Sequence, residues 1–347
     1  MGRKNKSYSK DLHQQAYEKL TSMCCFSQSK KEIIKLASTK YEANLLIKDK
    51  IFTNSTYKAY IKHTDHFLEY IKEHYPEATT LKAAKKYMKE WLDGEVERGL
   101  SAWTIQLEAK ALGKLYGILE DDPEYYAAPK RYRKDIKRSR GDRVRDKHFS
   151  KTNNAEQIYF CQGTGCRLRE LKALKNDCLY TRDQIEAEIH ALELFPDQNP
   201  ANLKKLQLLK DTRVFTHGED YFIFIRNGKG GRPRFTPIIG EHKQDIIDRI
   251  THTLDGKKVW EYVNENADTH GYRAEYATKL YKDYARDVDT ITHTPCTIGD
   301  KTYKSAVYVC RNDERGKKLD REAMHTASKA LGHNRISIIA DNYLRGI

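Results

Sequence analysis

The chain has 347 residues, with 63 Lys+Arg against 49 Asp+Glu and a formal net charge of +14. That length allows two domains, and the excess positive charge favours a polyanionic partner, nucleic acid before membrane. No apolar run approaches the ~18–20 residues of a bilayer span, and the basic opening Met-Gly-Arg-Lys-Asn-Lys lacks the apolar stretch of a secretion signal. Seven scattered cysteines, an odd number with no paired Cys-x-x-Cys, read as reduced thiols of a cytosolic protein and not as a disulfide framework or a zinc site.

Residues 1–50 are basic and polar with some helical periodicity, and are expected to form a helical arm. Residues 51–128 read as a small all-helical domain. Tyr57, Ile61, Thr64, Leu68 and Ile71 make one stripe of a helix that Pro76 closes. A second helical stretch carries Ala84, Tyr87, Met88, Trp91 and Leu92 and ends at Gly99. Ser101 is the expected N-cap of a third, with Ile105, Leu112, Leu115, Tyr116 and Leu119 inward. Residues 129–149 are expected to link two domains. Positions 130–147 hold ten basic and three acidic residues, half of the chain's net charge, and almost nothing to bury. That stretch reads either as a solvated tether or as a segment lying along a phosphate backbone. Residues 150–347 have a mixed texture, mostly helical, with two short strands at 221–225 and 235–239 around the turn signal Asn227-Gly228. The fold class expected is mainly α with a small antiparallel β-sheet.

Four segments of this second domain carry chemistry. Gly163-Thr-Gly-Cys-Arg167-Leu-Arg-Glu170-Leu171 is a tight turn into a helix, placing a guanidinium where it can hold two phosphate oxygens at once. Glu170, one turn on, can orient an arginine or a histidine. Arg226-Asn-Gly-Lys229-Gly-Gly-Arg232-Pro-Arg234 is a basic hairpin tip, and an ammonium there can donate a proton to a leaving oxygen. His270 and Arg273 share a helix face at i, i+3. Leu331-Gly-His333 precedes a helix on whose apolar side Ile336, Ile339, Ala340 and Tyr343 fall. Each has a plainer reading on its own: a surface arginine, an ordinary basic hairpin, a satisfied histidine, a core tyrosine.

In this order the segments resemble the tyrosine recombinase (phage-type integrase) family. Gly-Thr-Gly-x-Arg-x-x-Glu-Leu, the hairpin lysine, His-x-x-Arg, Leu-Gly-His and a following tyrosine all have matches here. Tyr343 stands ten residues after His333, where nine is usual. The helical domain is similar to the SAM-like core-binding domain of integrases. The resemblance implies that Tyr343 attacks a DNA phosphate and forms a 3′-phosphotyrosine. It makes Arg167 and Arg273 the cations facing the oxyanion, His270 and His333 hydrogen-bond or proton-transfer partners, Lys229 the general acid, and Glu170 a supporting residue. No cofactor and no metal is implied. Lys130, Arg131, Arg133, Lys134, Lys137, Arg138, Arg140, Arg226, Arg232 and Arg234 would contact the DNA backbone. The partners implied are double-stranded DNA, three further copies of the chain in a tetramer on two sites, and an accessory directionality factor. A cytoplasmic, nucleoid-associated enzyme of a bacterial mobile element follows from the same resemblance. Relaxation of DNA in the manner of a type IB topoisomerase, or DNA binding without catalysis, are the alternative readings. Stretches 181–213 and 286–322 read as insertions. Only four residues follow Tyr343, so the expected link between subunits is the second insertion, with Val307, Tyr308 and Val309, ahead of the final helix or the arm 1–50, because it lies in sequence between the His270–Arg273 pair and His333.

Overall fold

The computed structural model describes residues 10–132, 149–194, 199–216, 218–299, 301–311 and 314–344. The chain divides into two units, Met1–Lys137 and Arg138–Ile347, the boundary falling inside the basic stretch. The fold is mainly helical with small antiparallel sheets. Among the described residues no helix is long and apolar enough to cross a membrane.

The first unit consists of α1 (Leu12–Ser22), α2 (Lys30–Lys35), α3 (Lys40–Ile47), α4 (Asn54–His74), α5 (Leu81–Ala84), α6 (Met88–Glu97) and α7 (Ala102–Tyr116). The expected helix after Thr56 is α4, which buries Thr64, Phe67, Leu68 and Ile71. Ser101 caps α7 by accepting from the Thr104 amide, and Gly117 at φ 68° ends it. Leu92, Leu112 and Leu115 meet the α4 stripe in one core. The first fifty residues differ from the expected arm: Ala16 and Leu20 of α1 lie in that same core. Their i, i+4 spacing gives α1 one narrow apolar line, enough to join the bundle. Helices α2 and α3 bury no residue of their own.

The second unit begins with α8 (Ala155–Thr164) and α9 (Leu168–Leu171), followed by β1 (Leu179–Thr181), α10 (Arg182–Leu194) and α11 (Pro200–Phe215). Strands β2 (Tyr221–Ile225) and β3 (Arg234–Pro237) then complete a three-stranded antiparallel sheet in the order β1-β2-β3. Phe224 opposes Phe235 and Ile225 opposes Arg234 in its register. The stretch read as a first insertion forms the α10–α11 hairpin, whose Ile185, Ile189 and Leu209 pack with Phe222 and Phe235. The period-two alternation of β3 sends Phe235 to that side and Arg234 and Thr236 to the other. Next come α12 (Lys243–Thr251) and α13 (Thr269–Tyr284), then two hairpins, β4 (Cys296–Ile298) with β5 (Lys301–Tyr303) and β6 (Val307–Val309) with β7 (Lys318–Asp320). These hairpins fall in the stretch read as a second insertion. Val307 packs into a small core with Ile291, Cys296 and Ala306, while Val309 stays exposed. The described unit closes with α14 (Arg321–Ala330) and α15 (Ser337–Asn342). Tyr276, Ala277 and Leu280 of α13 bury against Met324, Ala327 and Ala330 of α14, and Ile339 and Ala340 of α15 join them.

Candidate active site

The tight turn read at 163–167 is the junction of α8 and α9. Gly165 sits at φ 60° and ends α8. A Cβ there would stand 2.5 Å from the Tyr276 ring, so both the backbone angle and the packing require glycine. Arg167 follows as the N-cap of α9, and its own amide donates to Glu170 Oε2 at 2.8 Å. Glu170 Oε1 accepts from the Arg167 guanidinium at 2.7 Å. The same carboxylate takes two hydrogen bonds from Arg234, at 2.8 and 2.7 Å. Burial by itself would raise the Glu170 carboxyl, but the hydrogen bonds and charge of Arg234, with help from Arg167 and Arg273, hold it at about 2.

Arg234 thus departs from its expected place on the DNA backbone. It is 3% exposed, and its Nε donates to the Ala330 carbonyl at 2.9 Å. It forms the floor of the site. Arg226, expected on DNA as well, is exposed but grips Asp177 through two hydrogen bonds of 2.8 and 2.7 Å. Arg232 remains at the cleft described next. Lys130 and Arg131 belong to the first unit and are exposed, near the rings of Tyr132 and Trp103 respectively. Arg133, Lys134, Lys137, Arg138 and Arg140 lie outside the described residues.

Arg167, Lys229, Arg232, His270, His333 and Tyr343 line one cleft of about 870 Å³. Arg273 lies beneath it, fully buried. From the second turn of α13 it reaches the carbonyls of Gly165 and Leu331. The Leu331 carbonyl also receives Arg167 Nη2 at 3.4 Å. Two arginines from distant parts of the sequence are therefore fixed on one backbone oxygen. Burial, then repulsion from Arg234, pulls the Arg273 guanidinium down to about 10, so it keeps its charge at neutral pH.

Tyr343 is the residue that caps α15. Its hydroxyl stands 3.2 Å from His333 Nε2 and 3.3 Å from Arg273 Nε, which donates to it. Between His333 and Tyr343 the chain runs through the six-residue helix α15. Burial, reinforced by Arg273, Arg167, Arg234 and Lys229, pushes the His333 imidazole from 6.5 down to about 4. It is therefore neutral at pH 7, and one ring nitrogen can accept a proton. Lys229 and His270 are exposed at the rim.

Asn334, Arg335, Asp341 and Asn342 also line the cleft and were not singled out from the sequence. Their signal was adjacency to His333 and Tyr343. Tyr281, Tyr303, Tyr308 and His325 are not among the lining residues. A larger cavity of about 960 Å³ opens beside Glu219, Asp283 and Glu322 and includes none of the six residues singled out for catalysis.

No protein-family model matches the chain, and no curated protein matches it. Among solved structures, one described as a XerA recombinase is similar over 95% of this chain and 94% of its own, at 12% identity and a TM-score of 0.26. A likeness of that size carries no argument, and the functional reading rests on the cleft itself.

Proposed function

We propose that the chain is a site-specific recombinase that cuts and rejoins DNA through a covalent link to Tyr343. The observation that carries this reading is one phenol hydroxyl within hydrogen-bond reach of both a neutral imidazole and a buried guanidinium. A phenol needs help to act as a nucleophile, since its pKa in water is ~10. Tyr343 Oη bonds to the scissile phosphorus as His333 Nε2 takes its proton and Arg273 meets the growing negative charge. Arg167, held by Glu170, presents its remaining donors to the non-bridging oxygens. The bond from phosphorus to the 5′ oxygen breaks, and Lys229 delivers a proton to that oxygen. His270 and Arg232 hold the phosphate from the rim. The reverse attack, by a 5′ hydroxyl of either duplex, releases Tyr343, so the bond energy is kept in the phosphotyrosine and no nucleotide is consumed.

In this reading a homotetramer assembles on two DNA sites, with mobile-element integration as the setting. An accessory protein that sets direction belongs to the same proposal. The test is to mix the chain with fragmented genomic DNA, denature, and sequence whatever remains attached. Fragments sharing one short inverted repeat support recombination. Attachment without sequence preference points to topoisomerase-like relaxation, and binding with no covalent product leaves a DNA-binding module.

A further inference from the structure

The first unit holds a cluster that DNA cleavage does not use. His63 and His66 stand at i, i+3 on α4, on the side packed against α7, and Glu108 faces them from α7. Glu108 Oε1 lies 3.1 Å from His63 Nδ1 and 3.7 Å from His66 Nδ1. One ligating atom from each of the three residues lies within 4.8 Å of the others. The Glu108 side chain is 1% exposed, and its Oε2 is buried with no hydrogen-bond partner among the described residues. An unmet buried carboxylate oxygen is costly, and a bound ion is one recognised explanation for such an atom in a native fold. A second carboxylate crowds the first. Glu95 is 2% exposed, and burial followed by the charge of Glu108 raises its carboxyl.

We propose that His63, His66 and Glu108 bind a zinc ion that staples α4 to α7. Two imidazoles and a carboxylate suit zinc, whereas magnesium and calcium take oxygen ligands. Ligands of a tetrahedral zinc stand ~3.4 Å apart, a spacing that the observed 3.1 and 3.7 Å straddle. The two imidazole planes are inclined at 81°, with ring centroids 5.6 Å apart. His66 is 47% exposed, which leaves a fourth position for water. The ion's charge would also relieve the repulsion between Glu108 and Glu95. The role is structural: α4 and α7 are the two longest helices of the first unit, and the metal crosslinks them.

The experiment uses the full chain, stripped with a chelator and dialysed. Zinc chloride is titrated by calorimetry, and thermal unfolding is followed with and without it. One zinc per chain and a raised Tm are expected. Cobalt(II) in place of zinc should give visible d–d bands without thiolate charge transfer, which separates this site from the seven free cysteines. His66→Gln and Glu108→Gln should each weaken binding by more than about 100-fold, beyond the usual effect of losing a supporting partner of a ligand. Circular dichroism checks that each variant is folded. If Glu108→Gln fails to fold, the exposed His66 decides the matter alone. Absence of zinc binding at micromolar concentration overturns the proposal, as does a charge-transfer band or a folded His66→Gln chain that binds like wild type. The outcome is independent of whether Tyr343 cleaves DNA.

Discussion

Glu170→Gln removes one negative charge from beneath the cleft and tests whether the floor of the site is electrostatic. In the folded chain this carboxyl is held at about 2, against an ordinary 4.5. At ~1.36 kcal/mol per pH unit that difference corresponds to roughly 3 kcal/mol of stability at neutral pH. A similar figure, about 3–5 kcal/mol, is expected for breaking a buried ion pair, because Arg234 is left charged and unmatched. The side chain is 3% exposed, so solvent screening takes little from either figure. The sign follows from the depressed value. The carboxylate's contribution is full above about 4.5, where both folded and unfolded chains are ionised, and is lost as pH falls toward about 2. Urea unfolding of wild type and Glu170→Gln from pH 7 to pH 3 should show a gap of about 3 kcal/mol that narrows below about pH 4.5. Replacing the pair together, Glu170→Leu with Arg234→Met, should recover most of the stability. It should not recover DNA cleavage, because Arg167 loses the carboxylate that orients it. Equal stability of wild type and Glu170→Gln at pH 7, or a gap that does not change with pH, refutes the argument.

Other outcomes follow from the same geometry. Arg167→Ala should lower the cleavage rate by about 10²–10³, the common effect of losing one oxyanion partner; a folded variant with a rate near wild type excludes it from the oxyanion. Lys229→Ala should slow cleavage of ordinary DNA yet cleave a 5′-bridging phosphorothiolate well, since a sulfur leaving group needs no proton; failure of that rescue removes Lys229 as the general acid. If neutral His333 accepts the tyrosine proton, cleavage at subsaturating DNA should fall as pH drops toward about 4, and His333→Gln should abolish that acid limb. An acid limb that survives the substitution assigns it to another group. Cleavage should proceed in EDTA, because the cations of the cleft meet the phosphate charge and Asp341 is the one carboxylate among its described lining residues; strict dependence on magnesium would contradict the chemistry.

Local signals in the sequence were those that depend on neighbours along the chain. Ser101 before an apolar-periodic run gave α7 its start, and the spacing of Thr64, Leu68 and Ile71 gave α4 its buried side. The Asn227-Gly228 turn between two β-branched and aromatic runs marked the hairpin. Ordered motifs pointed to six residues that the fold brings to or beneath one cleft, although 176 positions separate Arg167 from Tyr343. What stayed hidden depends on contacts across the fold. Arg226, Arg232 and Arg234 are the same residue type within nine positions, yet one pairs with Asp177, one lines the cleft and one is buried on Glu170. Which face of β3 would be covered by α14 could not be read from composition. The two buried residues of α1, Ala16 and Leu20, are too sparse in a polar stretch to announce that it joins a core. Glu108 likewise looks like any helical glutamate until α4 brings His63 and His66 against it.

The central claim is that the Tyr343 hydroxyl attacks the DNA. A duplex carrying the selected site, nicked close to the cut so that the cleaved end diffuses away, traps the covalent intermediate. Wild type should yield a protein–DNA adduct that survives denaturation, with the phosphate on the peptide containing Tyr343. The Tyr343→Phe chain should bind the same duplex with unchanged affinity and yield none. An adduct of equal amount from Tyr343→Phe, or a phosphate mapped to another residue, would contradict the account.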